Sequence, residues 1–225
     1  MSIAERYNRI RGDIPGNVTI VAAAKTRSVE EVRELIEAGA TDIGENYVQE
    51  GSRICTELGE LKNKVNWHII GHLQSNKINK ALQFCDVIQT IESPKKAETV
   101  NKRVAQAGKN VLPVYIEVNI GNEYSKHGIK PEYPEILSLA EKISQLKHIK
   151  LEGLMTLGPV GGDVENVRPF FKKMRTYYEK LKALDLPNTN IQTLSMGMTN
   201  SYKVAIDEGS NMVRIGTALF GSRQY

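Results

Sequence analysis

Cysteine is scarce: Cys55 and Cys85 are the two in 225 residues, on separate predicted helical segments with no CxxC spacing. They read as reduced, buried or half-buried thiols of a cytoplasmic protein rather than a disulfide framework. The amino end, Met1-Ser-Ile-Ala-Glu-Arg6, lacks an apolar h-region, and no long apolar run occurs anywhere, so neither a signal peptide nor a membrane span is expected. No low-complexity tract suggests a disordered arm. The net charge of +4 is small, and Lys and Arg are dispersed among Asp and Glu, so no basic stripe marks nucleic acid or a membrane as partner. Clusters such as Lys62-Asn-Lys64 and Lys172-Lys173 read as solvated helix faces. What is present is a hydrophobic content of 40%, enough for a sizeable core.

The chain is organised around Val18-Thr-Ile-Val-Ala-Ala-Ala-Lys25, an uncharged run of small and branched residues that ends in a lysine. A short apolar run of this kind predicts a strand covered on both faces. Lys25 then sits at the carboxyl end of a buried strand, where α/β proteins place their ligands. Two readings follow. Lys25 reaches solvent or a carboxylate, or it loses its proton and acts as a nucleophile toward carbonyls, forming a Schiff base.

Ile3, Tyr7 and Ile10 predict an amphipathic helix before this strand. Ser28 and Glu31 then form a capping box for a helix burying Val32, Leu35 and Ile36. Further strands are predicted at 41–46, 65–71, 86–91, 112–119, 150–155, 192–195 and 212–215. Helical patterns lie between them at 47–61, from Pro94 to Gly108 with Ala97, Val100, Val104 and Ala107 inward, and at 131–146. A later helix carries Phe170, Met174, Tyr177, Leu181 and Leu184, and another runs from about Thr199 to Glu208. The segment 120–130 is long and polar, which suggests a loop with a task, and a glycine-rich loop follows the sixth strand. Eight strands alternating with helices call for a parallel sheet. The expected architecture is α/β, a single (β/α)8 TIM-type barrel over residues 1–225 with one helix before its first strand; an open doubly wound sheet is the alternative.

In such a barrel the functional rim collects Lys25, Asn46, the turn from His68 to His72, Asn119, Thr156, Ser195 to Met198, Arg214, Gly216 and Thr217. Lysine, amide, hydroxyl, guanidinium and glycine together suit a small anionic ligand. The last two units carry the strongest signal, because barrels often bind phosphate with the loops after strands 7 and 8 and a short helix. Gly216 would admit backbone amides to the phosphate, with Ser195 and Thr217 as hydroxyl donors; ordinary turn glycine with capping hydroxyls is the other reading. Arg214 alternates with Val213 and Ile215, so it points into the barrel if they face the helices. An inward guanidinium needs an acceptor, either a carboxylate such as Glu117 or the ring nitrogen of a cofactor.

Seven stretches occur in order: Ala22-Ala-Ala-Lys-Thr26, Gly44-Glu-Asn-Tyr-Val-Gln-Glu50, Trp67-His-Ile-Ile-Gly-His-Leu-Gln-Ser-Asn-Lys77, Ser125-Lys-His-Gly128, Gly153-Leu-Met155, Ser195-Met-Gly-Met198 and Met212-Val-Arg-Ile-Gly-Thr-Ala-Leu-Phe-Gly221. Together they resemble the pyridoxal phosphate homeostasis protein family, from about Val18 to the end. The resemblance implies a barrel like the amino-terminal domain of alanine racemase, the fold type III class. It also implies pyridoxal 5′-phosphate (PLP) as a Schiff base on Lys25. It further implies that Ser195, Gly216 and Thr217 hold the phosphate, that Arg214 faces the pyridine nitrogen, and that Asn46 and His68 line the ring pocket. Where the family usually continues its SMGM motif with Ser and then Asp two positions later, this chain has Thr199 and Ser201.

An arginine opposite the pyridine nitrogen does not protonate it, so carbanion chemistry is expected to be weak. With Tyr225 a few residues beyond the eighth strand, no second catalytic domain is expected. The expected function is a carrier or regulator of PLP and amino-acid balance, with PLP-dependent apo-enzymes or amino acids as partners, no metal, and a monomer or weak dimer. A single-domain PLP-dependent racemase is the rival.

Overall fold

The computed structural model describes residues 1–159 and 163–221. The helix α1 (Ile3–Asp13) starts with a capping box in which Ser2 accepts from the Glu5 amide and Glu5 reaches back to the Ser2 amide, and it buries Ile3, Tyr7 and Ile10. Alternating units follow: β1 (Thr19–Ala23), α2 (Val29–Glu37), β2 (Asp42–Glu45), α3 (Val48–Leu58), β3 (Asn66–Ile69), α4 (Ile78–Ala81) and β4 (Val87–Ile91). The second half holds α5 (Pro94–Gln106), β5 (Leu112–Val118), α6 (Tyr133–Ser144), β6 (Ile149–Thr156), α7 (Arg168–Lys182), β7 (Thr189–Met198), α8 (Tyr202–Asp207), β8 (Met212–Ile215) and α9 (Thr217–Phe220). Every neighbouring pair is parallel, and β1 pairs with β8 through Val21 and Arg214, so the sheet closes into an eight-stranded barrel. Closure excludes the open doubly wound alternative.

Local signals account for the helix starts. Ser28 and Glu31 form the expected capping box, and Ser93 caps α5 with Pro94 at its first turn. Outward-facing strand residues such as Ile43, Ile69, Ile88, Ile116, Leu154, Leu194 and Ile215 pack under the helices in two large apolar clusters. Each such side chain contributes about 1.5–3 kcal/mol by leaving water.

Several boundaries differ from the sequence pattern. β1 stops at Ala23 and Lys25 lies in the turn beyond it, because Thr26 takes a positive φ of 64°. α3 ends at Leu58 and gives way to a 3-10 turn over Gly59–Lys64. Ala107 is the exposed cap of α5 rather than part of its inner face. In α7 the buried stripe is Phe171, Met174, Tyr178 and Leu181; Phe170 and Tyr177 flank it and Leu184 is exposed. β7 begins at Thr189 and runs through Met198, longer at both ends than expected. Of the glycine-rich loop, Gly161 and Gly162 lie outside the described residues.

Candidate functional site

Alternation along each strand divides the wall into outward and inward residues. The inward set contains an apolar layer of Val21, Ile70, Tyr115, Met155 and Met212. It also contains polar groups that water does not reach: His68, Gln89, Glu117, Ser195 and Arg214 are all 4% exposed or less. Buried polar groups require partners, and here most of them find one another across the barrel.

Arg214 Nη1 donates to Ser195 Oγ at 2.5 Å and Nη2 donates to the Thr156 carbonyl at 2.6 Å. A guanidinium only donates, and that fixes the direction of everything beyond it. Ser195 therefore gives its own hydrogen to Gln89 Oε1 at 2.8 Å. The Gln89 amide then faces His68 Nδ1 at 3.0 Å as donor, and His68 Nε2 faces Asp42 Oδ1 at 2.9 Å. Five strands are joined by one directed chain: β8, β7, β4, β3 and β2. Burial would raise the Asp42 carboxyl, but bonds from His68, Thr41 and Asn66 outweigh it and hold that group below the usual carboxylate range.

Arg214 is wholly enclosed, and desolvation pulls its guanidinium down to about 10, with Glu117 opposing the shift. Glu117 acts on it through the field, while the hydrogen bonds go to Ser195 and Thr156. Burial, reinforced by the charge of Glu92, lifts Glu117 to about 7, and its Oε2 has no hydrogen-bond partner.

Above this layer lies the rim. Lys25 is half-buried in the turn after β1. Its neighbour Thr26 is held in the left-handed region, a costly conformation for a branched residue, with its amide donating to Glu50 of α3 at 2.9 Å. Because Ala22 pairs with Ile215, the Lys25 turn stands beside Gly216 and the start of α9. Leu219 and Phe220 donate back to the Gly216 carbonyl, so the helix begins at Thr217, whose side chain is exposed. The Ala218 amide meets Thr199 Oγ1 at 3.4 Å, which sets the hydroxyl of the β7 loop against this helix start. Gly197 makes that loop possible: φ is +93°, and a Cβ there would lie 2.5 Å from Ala205.

The structure thus brings Lys25, Gly216 and Thr217 together at the rim, and adds Thr199. It sets Ser195, Arg214 and His68 below them in the barrel, and Thr156 there serves Arg214 through its carbonyl. Asn46 belongs to a neighbouring cleft of about 430 Å³, lined also by Gln74, Lys77, His72 and His127. There Gly71 lets two loops touch, since a Cβ would lie 2.6 Å from the Asn46 carbonyl oxygen. Asn119 closes the base of the 120–130 loop by bonding the Glu123 carbonyl and amide. Gln89 carries no motif, and its signal is a polar residue two steps from Val87 on an apolar strand; Thr199 stands directly after the Ser195–Met198 motif.

The sequence matches the family model described as "Alanine racemase, N-terminal domain" over residues 1–224. A pyridoxal phosphate homeostasis protein from Pasteurella multocida is 41% identical over 208 residues, which are 92% of this chain and 88% of the relative. The chain belongs to the pyridoxal phosphate homeostasis protein family. The member from Escherichia coli K12 is 37% identical, covering 95% of this chain and 89% of its own. Among solved structures, PipY of Synechococcus elongatus without PLP superposes with a TM-score of 0.91 at 31% identity, over 98% of this chain and all of PipY. PipY with PLP bound gives a TM-score of 0.87. An alanine racemase from Clostridium difficile shares the fold at 17% identity (TM-score 0.81), and this chain spans 57% of it. Family membership and the barrel therefore agree, and no helix among the described residues is long and apolar enough to cross a membrane.

Proposed function

We propose that this chain binds pyridoxal 5′-phosphate and serves in its homeostasis, as its family relatives are named for doing. The carrying observation is the adjacency of the Lys25 turn and the Gly216–Thr217 start of α9, in a family with a PLP-bound structural relative. The donor set fits the group: an amine at one end, amides and the Thr217 and Thr199 hydroxyls at the other, and a buried guanidinium beneath. When bound, the cofactor supplies an aldehyde and an electron-withdrawing pyridine ring.

Each residue then has a role. Lys25 would hold the cofactor by its amine, the group able to bond the aldehyde with loss of water. Thr217 and the first amides of α9 hold the phosphate, with Thr199 beside them. Arg214, locked by Ser195 and Thr156, would offer its remaining donors to the ring nitrogen. A group charged at neutral pH there does not supply a proton to the ring, so the site stores and delivers PLP in preference to driving carbanion chemistry. The recipients are apo-enzymes that use PLP, and the setting is the cytoplasm.

The test is borohydride reduction of the PLP-loaded protein followed by peptide mass spectrometry, with Lys25→Ala alongside. The expected result is one reduced adduct on Lys25, and in the variant a weaker, non-covalent complex. A stable adduct on another lysine with Lys25 unmodified overturns the tether. Sustained racemisation of amino acids by the purified protein overturns the storage role.

A further inference from the structure

Three successive rim loops each send one metal-ligating side chain to a common point. His72 follows β3, Glu92 follows β4, and His127 lies in the 120–130 loop after β5. His72 Nδ1 is 3.2 Å from Glu92 Oε1, and His127 Nδ1 is 3.8 Å from Glu92 Oε2. The two imidazoles stack with centroids 4.0 Å apart and planes 16° from parallel. One donor atom from each residue falls within 4.8 Å of the others. We propose that His72, Glu92 and His127 form a binding site for a borderline divalent cation of the zinc class, separate from the Lys25 and Thr217 rim.

The geometry suits that ion. Bonds of about 2.0–2.2 Å in a tetrahedral centre set ligand atoms roughly 3.4 Å apart. The two histidine–carboxylate separations, 3.2 and 3.8 Å, bracket this value, and His127, with a side chain 58% exposed, has room to turn its ring out of the stack so that both rings point in-plane at one ion. Imidazole pairs select zinc, cobalt, nickel or copper, whereas calcium and magnesium call for oxygen donors. Glu92 is held in place from behind: the buried Lys96 lies 3.7 Å from its Oε1 and donates to the Leu73 carbonyl. That orients the carboxylate as outer partners of metal sites do. The same positive charge opposes a cation, so the affinity is moderate. Both histidines line the 430 Å³ cleft, which gives the ion a path to them. Because the ligands come from three separate loops, the site exists only in the folded chain, and the ion ties the 120–130 loop to the rim.

The experiment is calorimetric titration of tag-free full-length protein with Zn²⁺, in PLP-loaded and PLP-free forms, and a parallel Co²⁺ titration read by visible absorbance. One ion per chain is expected in both forms, with no comparable binding of Mg²⁺. His127→Ala, at an exposed loop position that leaves the barrel intact, and Glu92→Gln should each weaken Zn²⁺ about tenfold or more and abolish the Co²⁺ bands. The proposal is overturned by absence of saturable Zn²⁺ binding, by an unchanged affinity in His127→Ala, or by binding confined to the PLP-loaded form, which would place the metal on the cofactor.

Discussion

Leu194 and Ser195 are consecutive on β7 and both are fully buried, yet they belong to different environments. Leu194 faces the helices among aliphatic and aromatic neighbours. Ser195 faces the barrel axis between Arg214 and Gln89. The outer face of the wall is dry and apolar, and non-directional burial holds it. The inner face holds a directed chain of hydrogen bonds in which each member fixes the next. Equal burial therefore does two kinds of work: the outer face sets stability, and the inner face sets the orientation of the group beneath the proposed cofactor.

The sharpest break of this division comes from truncating the outer partner. Leu194→Ala should lower unfolding stability by about 2–5 kcal/mol, the range for a buried leucine, while the protein that remains folded binds PLP normally. Chemical denaturation with PLP titration of the folded fraction checks both halves. A loss of affinity comparable to the loss of stability would show that the two faces are coupled.

Glu45 is the exception on the outer face, and it gives a prediction of opposite sign. Its carboxyl is fully buried against Gly51 of α3, and neither oxygen has a hydrogen-bond partner. Burial, with a smaller push from Glu50, raises it to about 8. A carboxyl raised in the folded state binds its proton there while the unfolded chain has released its own. Stability is thus fully present below the ordinary value near 4.5 and is lost as pH climbs through 8. Glu45→Gln should flatten that decline and exceed wild-type stability at pH 9 by roughly 2–3 kcal/mol, after the amide's own burial cost. Thermal melts from pH 5 to pH 9 test it; parallel curves for the two proteins refute it.

The outer face was the more legible in the sequence, because apolar period and length carry it. Runs such as Val18 to Ala24 and Leu112 to Val118 marked the barrel strands, and Ser28–Glu31 and Ser93–Pro94 marked helix starts. Failures came where the pattern was degenerate. The doublets Phe170–Phe171 and Tyr177–Tyr178 allow two registers one residue apart, and packing on β6 and β7 chooses the second. The inner face was legible only in part. Alternation turned Arg214 inward, but Glu117, the acceptor the sequence offered, acts at a distance while Ser195 and the Thr156 carbonyl take the bonds. Gln89 and Ser195 are 106 residues apart, and no local rule pairs them. Thr199 stood in the sequence as a departure from the family motif, and the structure adds its approach to Ala218.

Ser195 yields the smallest energetic effect and the most specific one. Two roles compete for its hydroxyl: donor to the phosphate, as the family motif implies, and support for Arg214, as its bonds suggest. Ser195→Ala removes one acceptor from a guanidinium that keeps Thr156, and one donor from a glutamine that keeps His68. The stability cost should be about 1.5 kcal/mol, the low end for a hydrogen bond to a charged group. If Ser195 positions Arg214, the bound cofactor's absorbance and its pH profile shift, because the guanidinium no longer sits at one fixed place beneath the ring, while PLP affinity hardly changes. If Ser195 holds the phosphate, affinity falls about tenfold, near 1.4 kcal/mol, and the spectrum stays as it was. Spectral titration of the folded variant separates the two, and we expect the first, since the hydroxyl already gives its hydrogen to Gln89 and receives one from Arg214.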